Sequence, residues 1–176
     1  MLVTSLVFLR GPTRADEGEF VAAMQASRAL HQPWLYAPQS PEDFREYLVR
    51  GLRPTSEFFL ACRLEDNAIV GFLNLSEIVR GSFQSAYLGY GAVAAFAGQG
   101  YMTDALRLLL EEAFERLRLH RVEANIQPGN AASISLVRRS GFRLEGLSPR
   151  YLKIGGRWRD HERWAILSED WRAGRP

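Results

Sequence analysis

The stretch Gly98-Gln99-Gly100-Tyr101-Met102-Thr103 separates two sequence patterns, and the two together decide the fold of this chain. Before it, residues 87–97 are apolar and are interrupted only by small side chains, which predicts a buried strand. After it, apolar residues recur at the 3.6-residue spacing of a helix with one buried side. These residues are Ala105, Leu106, Leu109, Leu110, Ala113, Phe114 and Leu117. The sequence therefore predicts a strand, a glycine turn and a helix in direct succession.

A glycine turn that opens a helix is suited to bind a phosphate group. The first N–H groups of a helix have no partner within it, and the helix dipole favours an anion at that end. Gly98 and Gly100 would let the backbone approach the anion without interference from a Cβ atom. The turn is not a P-loop, because no lysine follows either glycine. It is not a dinucleotide fingerprint either, because Thr103 occupies the position of the third glycine.

The rest of the chain predicts a mostly antiparallel sheet. Further strands are expected at 2–9, 57–64 and 68–79, with a hairpin turn at 65–67, and two final strands should meet at Gly155-Gly156. Further helices are expected at 16–30, 41–50 and 131–140, the last of them ending at Gly141. The strand–helix–strand segment 87–126 requires one parallel pair of strands.

The glycine turn resembles the pyrophosphate loop of the Gcn5-related N-acetyltransferases. The family motif Q/R-x-x-G-x-G/A here reads Ala97-Gly98-Gln99-Gly100-Tyr101-Met102, and Ala97 and Met102 depart from it. The Gly-x-Gly-x-Met form is similar to that of the ribosomal-protein-alanine N-acetyltransferase branch. Other segments resemble that branch in order and spacing, so that the resemblance covers nearly the whole chain. They are 119–125, 130–133, 140–146, 156–161 and 168–171.

This resemblance implies a fold and an activity. The fold would be of the α+β class, a single domain over 1–176 with a mixed, mostly antiparallel twisted sheet of about seven strands and helices on both faces. The activity would be acetyl transfer from acetyl-CoA to an amine, by direct attack without a covalent enzyme intermediate. The branch points to the N-terminal α-amine of a ribosomal protein as acceptor. A small amine, such as an antibiotic or a polyamine, stays open, as does a catalytically idle acyl-CoA-binding module.

The resemblance also implies a donor site. In the family a bulge near Ala92 and Val93 splays the strand away from its neighbour, and backbone groups of Gly91, Ala92 and Val93 would bind the pantetheine arm. The pyrophosphate would lie on the turn residues Gly98, Gln99, Gly100, Tyr101, Met102 and Thr103. Asn130 and Ser133 match the family's N-x-x-S, which contacts the coenzyme, although both residue types also cap helices locally.

Three residues are candidates for catalysis. Ser133 would lie near the sulfur and donate a hydrogen bond to the leaving thiolate, with Tyr151 as a second candidate acid. Glu77, beside the expected acceptor groove, could accept a proton directly or through water. Each has a structural alternative: helix capping for Ser133, packing for Tyr151 and a solvated strand end for Glu77. The sixth-strand glutamate of some relatives has no counterpart at 150–152, where this chain reads Arg-Tyr-Leu.

Composition argues against several other classes. With 22 basic and 20 acidic residues the net charge is +2, which does not favour electrostatic binding of nucleic acid. A single cysteine, Cys62, excludes a disulfide framework and a cysteine-rich metal site, and the three histidines lack metal-site spacing, so no metal is expected. No apolar run has the length of a membrane span, and a cytoplasmic enzyme is expected. The oligomeric state stays open, a homodimer included.

Overall fold

The strands form one sheet in the computed structural model, which describes residues 2–4 and 6–174. The strands are β1 (Leu2–Val3), β2 (Val7–Arg10), β3 (Glu57–Arg63), β4 (Ile69–Val79), β5 (Ser85–Ala92), β6 (Arg121–Ile126), β7 (Arg143–Ile154) and β8 (Arg157–Leu167). The helices are α1 (Glu17–Ala26), α2 (Arg28–His31), α3 (Pro41–Gly51), α4 (Tyr101–Glu111), α5 (Ala131–Arg139) and α6 (Ser168–Ala173). The strand order in the sheet is β1-β2-β3-β4-β5-β6-β8-β7.

The pairing of β5 with β6 is parallel, whereas the other neighbouring strands that the structure describes are antiparallel. α4 connects the two parallel strands, as the predicted strand–turn–helix–strand order requires. The expected hairpin turns are also present, and Asn67, Gly155 and Gly156 have positive φ angles there. The predicted α+β fold with a mixed, mostly antiparallel sheet is confirmed.

β3 and β4 are buried on both sides because helices cover both faces of the sheet. In β3, Phe59 and Ala61 pack in the core cluster that holds the buried side of α4. The intervening Leu60 and Cys62 pack in a second cluster with α1 and α3. Successive side chains of a strand point to opposite faces. α4 therefore lies on one face, and α1 and α3 lie on the other.

The first predicted strand is divided in two. The Thr4 hydroxyl accepts hydrogen bonds from the N–H groups of Leu6 and Val7, at 3.1 and 3.0 Å, and turns the chain back on itself. β1 and β2 are consequently an antiparallel hairpin rather than one strand over 2–9. The sheet has eight strands instead of about seven for this reason.

The helix expected at 16–30 is interrupted at Ser27. The Ser27 hydroxyl donates to the Ala23 carbonyl at 2.7 Å and accepts the Ala94 N–H at 2.8 Å. A serine hydroxyl that bonds the backbone locally often bends or ends a helix. The bond to Ala94 ties the end of α1 to the segment that follows β5, which is the segment leading into the glycine turn.

Residues 2–4 and 6–174 contain neither a candidate membrane-spanning helix nor a candidate metal-binding cluster. None of their helices is both long enough and apolar enough to cross a membrane. No three or more of their His, Cys, Asp and Glu side chains are grouped so that they could hold a metal ion.

The hydroxyl of Tyr47 ties α3 to the sheet and can be tested. The side chain is 1% exposed, and its O–H donates to Asn74 Oδ1 at 2.7 Å. Tyr47→Phe keeps the ring in place but removes the donor, so the free energy of unfolding should fall by about 1–3 kcal/mol in chemical denaturation. Tyr36→Phe, at a side chain that is 58% exposed, is the control and should change it by less than about 0.5 kcal/mol. Equal effects of the two substitutions would contradict the assignment.

Candidate active site

β5 leaves the sheet incomplete at its C-terminal end. Its parallel pairing with β6 stops at Leu88 and Ala124, although β5 continues to Ala92 and β6 to Ile126. Backbone groups on that side of β5 therefore have no strand to bind, and unpaired buried backbone groups are rare in proteins. An extended ligand that carries amide groups can take the place of a missing strand.

The hydrogen bonds to β4 decide which residues of β5 face this gap. The Val93 N–H donates to the Val70 carbonyl at 2.9 Å. Alternate residues of an antiparallel ladder point the same way, so Gly91 also turns its backbone groups toward β4, while those of Tyr90 and Ala92 face the gap. The expectation that Gly91 and Val93 present backbone groups to the arm is thereby corrected, and only Ala92 of the expected three does so.

The bulge lies in a different place from the one expected. The register between β4 and β5 shifts between Ser76 and Val79 rather than near Ala92, and Glu77 adopts a φ of 49° there. The gap results from the early end of the β5–β6 pairing, without an irregularity in β5. Glu77 is exposed and lines neither of the two cavities described below, so the structure does not bring this candidate base to the site.

The glycine turn starts α4 as predicted. Gly98 and Gly100 have φ angles of 77° and 89°, in the left-handed region that favours glycine. The first hydrogen bonds of the helix are donated by the N–H groups of Thr103 and Asp104 to the Gly100 carbonyl, at 3.0 and 3.1 Å. The two helical residues before Thr103 keep N–H groups that a ligand can use. A Cβ atom built on Gly98 would meet no atom within 4 Å, so the space in front of the turn is open.

The gap and the glycine turn line the same cleft, of about 730 Å³. Most residues predicted to bind the coenzyme contribute to its wall: Gly91, Ala92, Gly98, Gly100, Met102, Thr103, Asn130 and Ser133. Three do not. Val93 is buried in the core, the Gln99 side chain donates to the Ala95 carbonyl at 3.0 Å, and the Tyr101 ring packs edge-on against Phe96. The backbone of Tyr101 nevertheless belongs to the helix start.

A hydrogen-bonded pair of hydroxyls, Tyr90 and Ser133, lies between β5 and the start of α5. The Ser133 N–H donates to Asn130 Oδ1 at 3.2 Å, so Asn130 has the capping role that its position allowed while it also lines the cleft. Burial raises the pKa of Tyr90 to about 12, and the bond with Ser133 lowers it only in part. The phenol therefore remains protonated at neutral pH and can donate a hydrogen bond.

A second hollow, of about 360 Å³, adjoins the cleft. The two cavities share the lining residues Trp34, Leu35, Tyr90, Asn130 and Ser133, and they therefore meet at the hydroxyl pair. The wall of the hollow continues to Asn125 and Gln127 of the β6 side and to His161 of β8. Within the part of the chain that the structure describes, no aspartate or glutamate lines either cavity.

Tyr151 does not lie in the wall of either cavity. Its hydroxyl oxygen is 3.4 Å from that of Tyr87, which does line the hollow. The hydrogen bond with Tyr151, together with burial, raises the pKa of Tyr87 to about 12. The structure consequently does not bring Tyr151 to Ser133, and the packing alternative describes it better than the role of second acid.

His31, which the sequence did not single out, holds the end of β5. Its Nε2 is 2.7 Å from the Ala92 carbonyl oxygen, and because a carbonyl only accepts, Nε2 carries the proton. Its Nδ1 is buried without a hydrogen-bond partner among the described residues. Burial lowers the pKa of His31, so the ring is neutral at pH 7. His31 occupies the Ala92 carbonyl and leaves the Ala92 N–H and the backbone groups of Tyr90 for a ligand.

Comparison with known proteins identifies the family. Residues 7–143 match the family model described as an acetyltransferase (GNAT) domain. The chain belongs to this family. Probable N-acetyltransferase YjcK of Bacillus subtilis is 41% identical to this GNAT protein over 125 residues, which are 71% of this chain and 69% of that one. Activity as an acetyltransferase follows from this membership and agrees with the expectation from sequence.

Two further relatives lie in the ribosomal-protein branch. The [ribosomal protein uS5]-alanine N-acetyltransferase of Escherichia coli is 40% identical over 111 residues, which span 63% of this chain and 57% of that enzyme. Mycobacterium smegmatis RimJ, solved in complex with CoA-disulfide, superposes with a TM-score of 0.85 at 30% identity, over 93% of this GNAT chain and 83% of that one. The predicted branch and fold are confirmed.

The neutral state of His31 predicts a pH dependence of stability. Its pKa in the folded protein lies below the ordinary value near 6.5, so below that pH the unfolded chain binds more protons and stability is lost as pH falls. His31→Gln keeps a donor for the Ala92 carbonyl but cannot titrate. The melting temperature of the variant should therefore fall less steeply than that of the parent between pH 7 and pH 5. Equal slopes in thermal scans would show that His31 is not held neutral.

Proposed function

We propose that this chain binds acetyl-CoA in the 730 Å³ cleft and transfers the acetyl group to the N-terminal α-amine of a ribosomal protein. The observation that carries the proposal is that the open edge of β5 and the glycine turn of α4 line one cleft. An acyl-CoA needs both features, because its pantetheine arm carries amides and its pyrophosphate carries charge. The CoA-disulfide bound to M. smegmatis RimJ supports the assignment of the donor.

The residues present fit such a donor. The N–H groups at the start of α4 would hold the pyrophosphate, aided by the helix dipole. The Ala92 N–H and the backbone groups of Tyr90 would pair with the pantetheine amides as a strand does. Arg139, which also lines the cleft, is a basic side chain within the same wall and would favour the phosphates.

The hydroxyl pair of Tyr90 and Ser133 would stabilise the thiolate as it leaves. Ser133 would donate a hydrogen bond to the sulfur as its negative charge develops, while the protonated Tyr90 supports the serine oxygen. Donors fixed in place before reaction stabilise developing charge at little reorganisation cost. The role predicted for Ser133 is thus kept in the proposal, and the tyrosine beside it is Tyr90 rather than the second candidate acid, Tyr151.

Direct attack of the amine is favoured over a covalent enzyme intermediate. The single cysteine, Cys62, is buried in the cluster with α1 and α3 and does not line the cleft. Burial raises the pKa of its thiol, which suppresses the nucleophilic thiolate. The amine must therefore reach the thioester itself, and the 360 Å³ hollow beside Tyr90 and Ser133 is the space from which it can do so.

The chemistry of the hollow favours an α-amine over a polyamine. A protein α-amine has a pKa of ~8, so a sizeable fraction is neutral at physiological pH, whereas a lysine-type amine with a pKa of ~10.4 needs a stronger base. No carboxylate lines the described walls, so the hollow offers a polycation no anionic partner. The 40% identity with the E. coli uS5-alanine enzyme points to the same class of acceptor.

Substitution of Ala97 tests the donor site and leaves Gly98 and Gly100 unchanged. It lines the cleft next to Gly98, it is exposed, and its φ of −64° accommodates any side chain. Ala97→Glu places a negative charge beside the proposed pyrophosphate, so acetyl-CoA should bind at least about tenfold more weakly in calorimetry. Ala97→Gln is the matched control, since it has the same shape without the charge and restores the residue of the family motif.

The control should bind acetyl-CoA as tightly as the parent or more tightly. Both variants should unfold at parent-like temperatures without ligand, because residue 97 is at the surface. If Ala97→Glu binds acetyl-CoA as the parent does, the turn is not the pyrophosphate site.

The acceptor class is tested by thiol release from acetyl-CoA in the presence of defined amines. We expect turnover with peptides that begin with a free alanine, and at least about tenfold less with the same peptides acetylated at the N-terminus, with lysine side chains or with spermidine. Turnover only with small amines would replace the proposed acceptor. Acetyl-CoA binding without thiol release in any mixture would identify an idle acyl-CoA-binding module.

A further inference from the structure

His161 of β8 stands in the wall of the 360 Å³ hollow, away from the glycine turn. Its side chain is largely enclosed, with the residue 3% exposed. The hollow meets the cleft at Tyr90, Asn130 and Ser133, so His161 lies on the acceptor side of the proposed thioester position. No other imidazole lines this hollow in the part of the chain that the structure describes.

The tautomer of His161 is fixed by its own strand. Its Nδ1 lies 2.9 Å from the Arg159 carbonyl oxygen, which can only accept, so Nδ1 carries the proton. In a neutral ring Nε2 then has a free lone pair. Among the described residues no hydrogen bond engages Nε2. In His31 the two nitrogens have the reverse roles: Nε2 donates to the Ala92 carbonyl, and Nδ1 is buried without a partner among the described residues.

Strand irregularity places His161 at the hollow. β6 pairs with β8 only as far as Ile126 and Glu162, so His161 is the first residue of β8 beyond that pairing. On the other side the register with β7 shifts directly after the pair Ser148–His161. The Asp160 side chain accepts the N–H of Arg150 at 2.7 Å and closes this bulge. The sheet is therefore open on the β6 side of His161, and on the β7 side its pairing becomes irregular directly after His161.

Burial keeps the ring of His161 neutral despite the groups around it. The ring centroid of Tyr151, from β7, is 6.2 Å away, and Tyr151 in turn contacts Tyr87 of β5. Burial lowers the pKa of His161 below its ordinary value and outweighs the hydrogen bond with the Arg159 carbonyl and the charge of Asp160, both of which raise it. At neutral pH the ring is thus an acceptor of protons.

We propose that His161 is a catalytic residue, whose Nε2 takes the proton that the acceptor nitrogen loses as it bonds to the thioester carbon. This inference rests on the proposed acetyl transfer. The N–C bond forms, the C–S bond breaks, and the amine proton moves to Nε2. The sulfur takes a proton from the Tyr90–Ser133 pair, and the pair is reprotonated from solvent as His161 releases its own proton there. In the net reaction, one amine and one thioester give one amide and one thiol.

The proton transfer is favourable because bond formation changes the acidity of the nitrogen. A free α-ammonium group, with a pKa of ~8, would hold its proton against an imidazole of lowered pKa. Once the lone pair is shared with carbon, the N–H becomes far more acidic than imidazolium. His161 therefore acts on an amine that arrives neutral, which fits an α-amine and gives a hollow without carboxylates the base that it otherwise lacks.

The test is the pH profile of kcat/KM with an alanine-terminal peptide and acetyl-CoA. In the parent, log kcat/KM should fall with a slope of one below the pKa of the peptide amine and with a slope of two below that of His161. In His161→Gln the second break should disappear, and kcat at pH 7.5 should fall by about 10²-fold or more. Acetyl-CoA binding should be unchanged, because His161 does not line the cleft.

Two further experiments distinguish a catalytic role of His161 from a structural one. Imidazole in the buffer should partly restore the activity of His161→Ala, which a merely structural role would not allow. His120→Gln, at an exposed histidine that pairs with Glu169, should keep the parent profile and rate. A parent profile without a second break overturns the proposal whatever the variants do, and so does a His161→Gln variant that keeps the break. Should the parent acetylate no amine at all, the proposed function fails, independently of His161.

Discussion

The site depends on hydrogen bonds that β5 and β6 do not make. Because these two strands are parallel, their C-terminal ends lie at the same edge of the sheet, and the helices that follow them, α4 and α5, both begin there. The pairing stops at Leu88 and Ala124 before either strand ends, which leaves a slot between two helix N-termini. Backbone donors, helix dipoles and the hydroxyl pair of Tyr90 and Ser133 all converge on this slot. An antiparallel pair could not assemble them, since its helices would begin at opposite edges.

How far the sequence could predict the site depends on whether a feature is local. The glycine turn, the helix cap at Asn130 and the hairpins are set by neighbouring residues, and they were predictable from spacing and residue type. Tyr90 and His31 were not, because each acts through a partner far along the chain: Ser133 is 43 residues from Tyr90, and Ala92 is 61 residues from His31. No periodicity in the sequence encodes contacts of that range.

The two misplaced catalytic candidates have a common physical cause. Glu77 and Tyr151 both lie within register shifts, one between Ser76 and Val79 and the other between Ser148 and Leu152. The first shift is of one residue, which turns the following side chains to the opposite face of the sheet. The second is of two residues and leaves Pro149, Arg150 and Tyr151 opposite Asp160 alone. Neither irregularity is visible in the sequence, so neither the strand position of Glu77 nor the resemblance that suggested Tyr151 could locate these side chains. His161, which lines the hollow, pairs with Ser148 at the edge of the second shift, so the irregularity that removes one candidate lies next to another.

The bulge in β7 has a consequence for how the molecule behaves in a crowded solution. β7 is the outermost strand, and most of its residues are exposed, including Leu144 and Leu147. A long exposed edge of this kind is a template on which another chain can add a strand. Here Pro149 supplies no N–H, and the N–H of Arg150 is already bound by Asp160. The interruption that opens the hollow thus also divides the free edge into two short pieces and protects the protein from edge-to-edge aggregation.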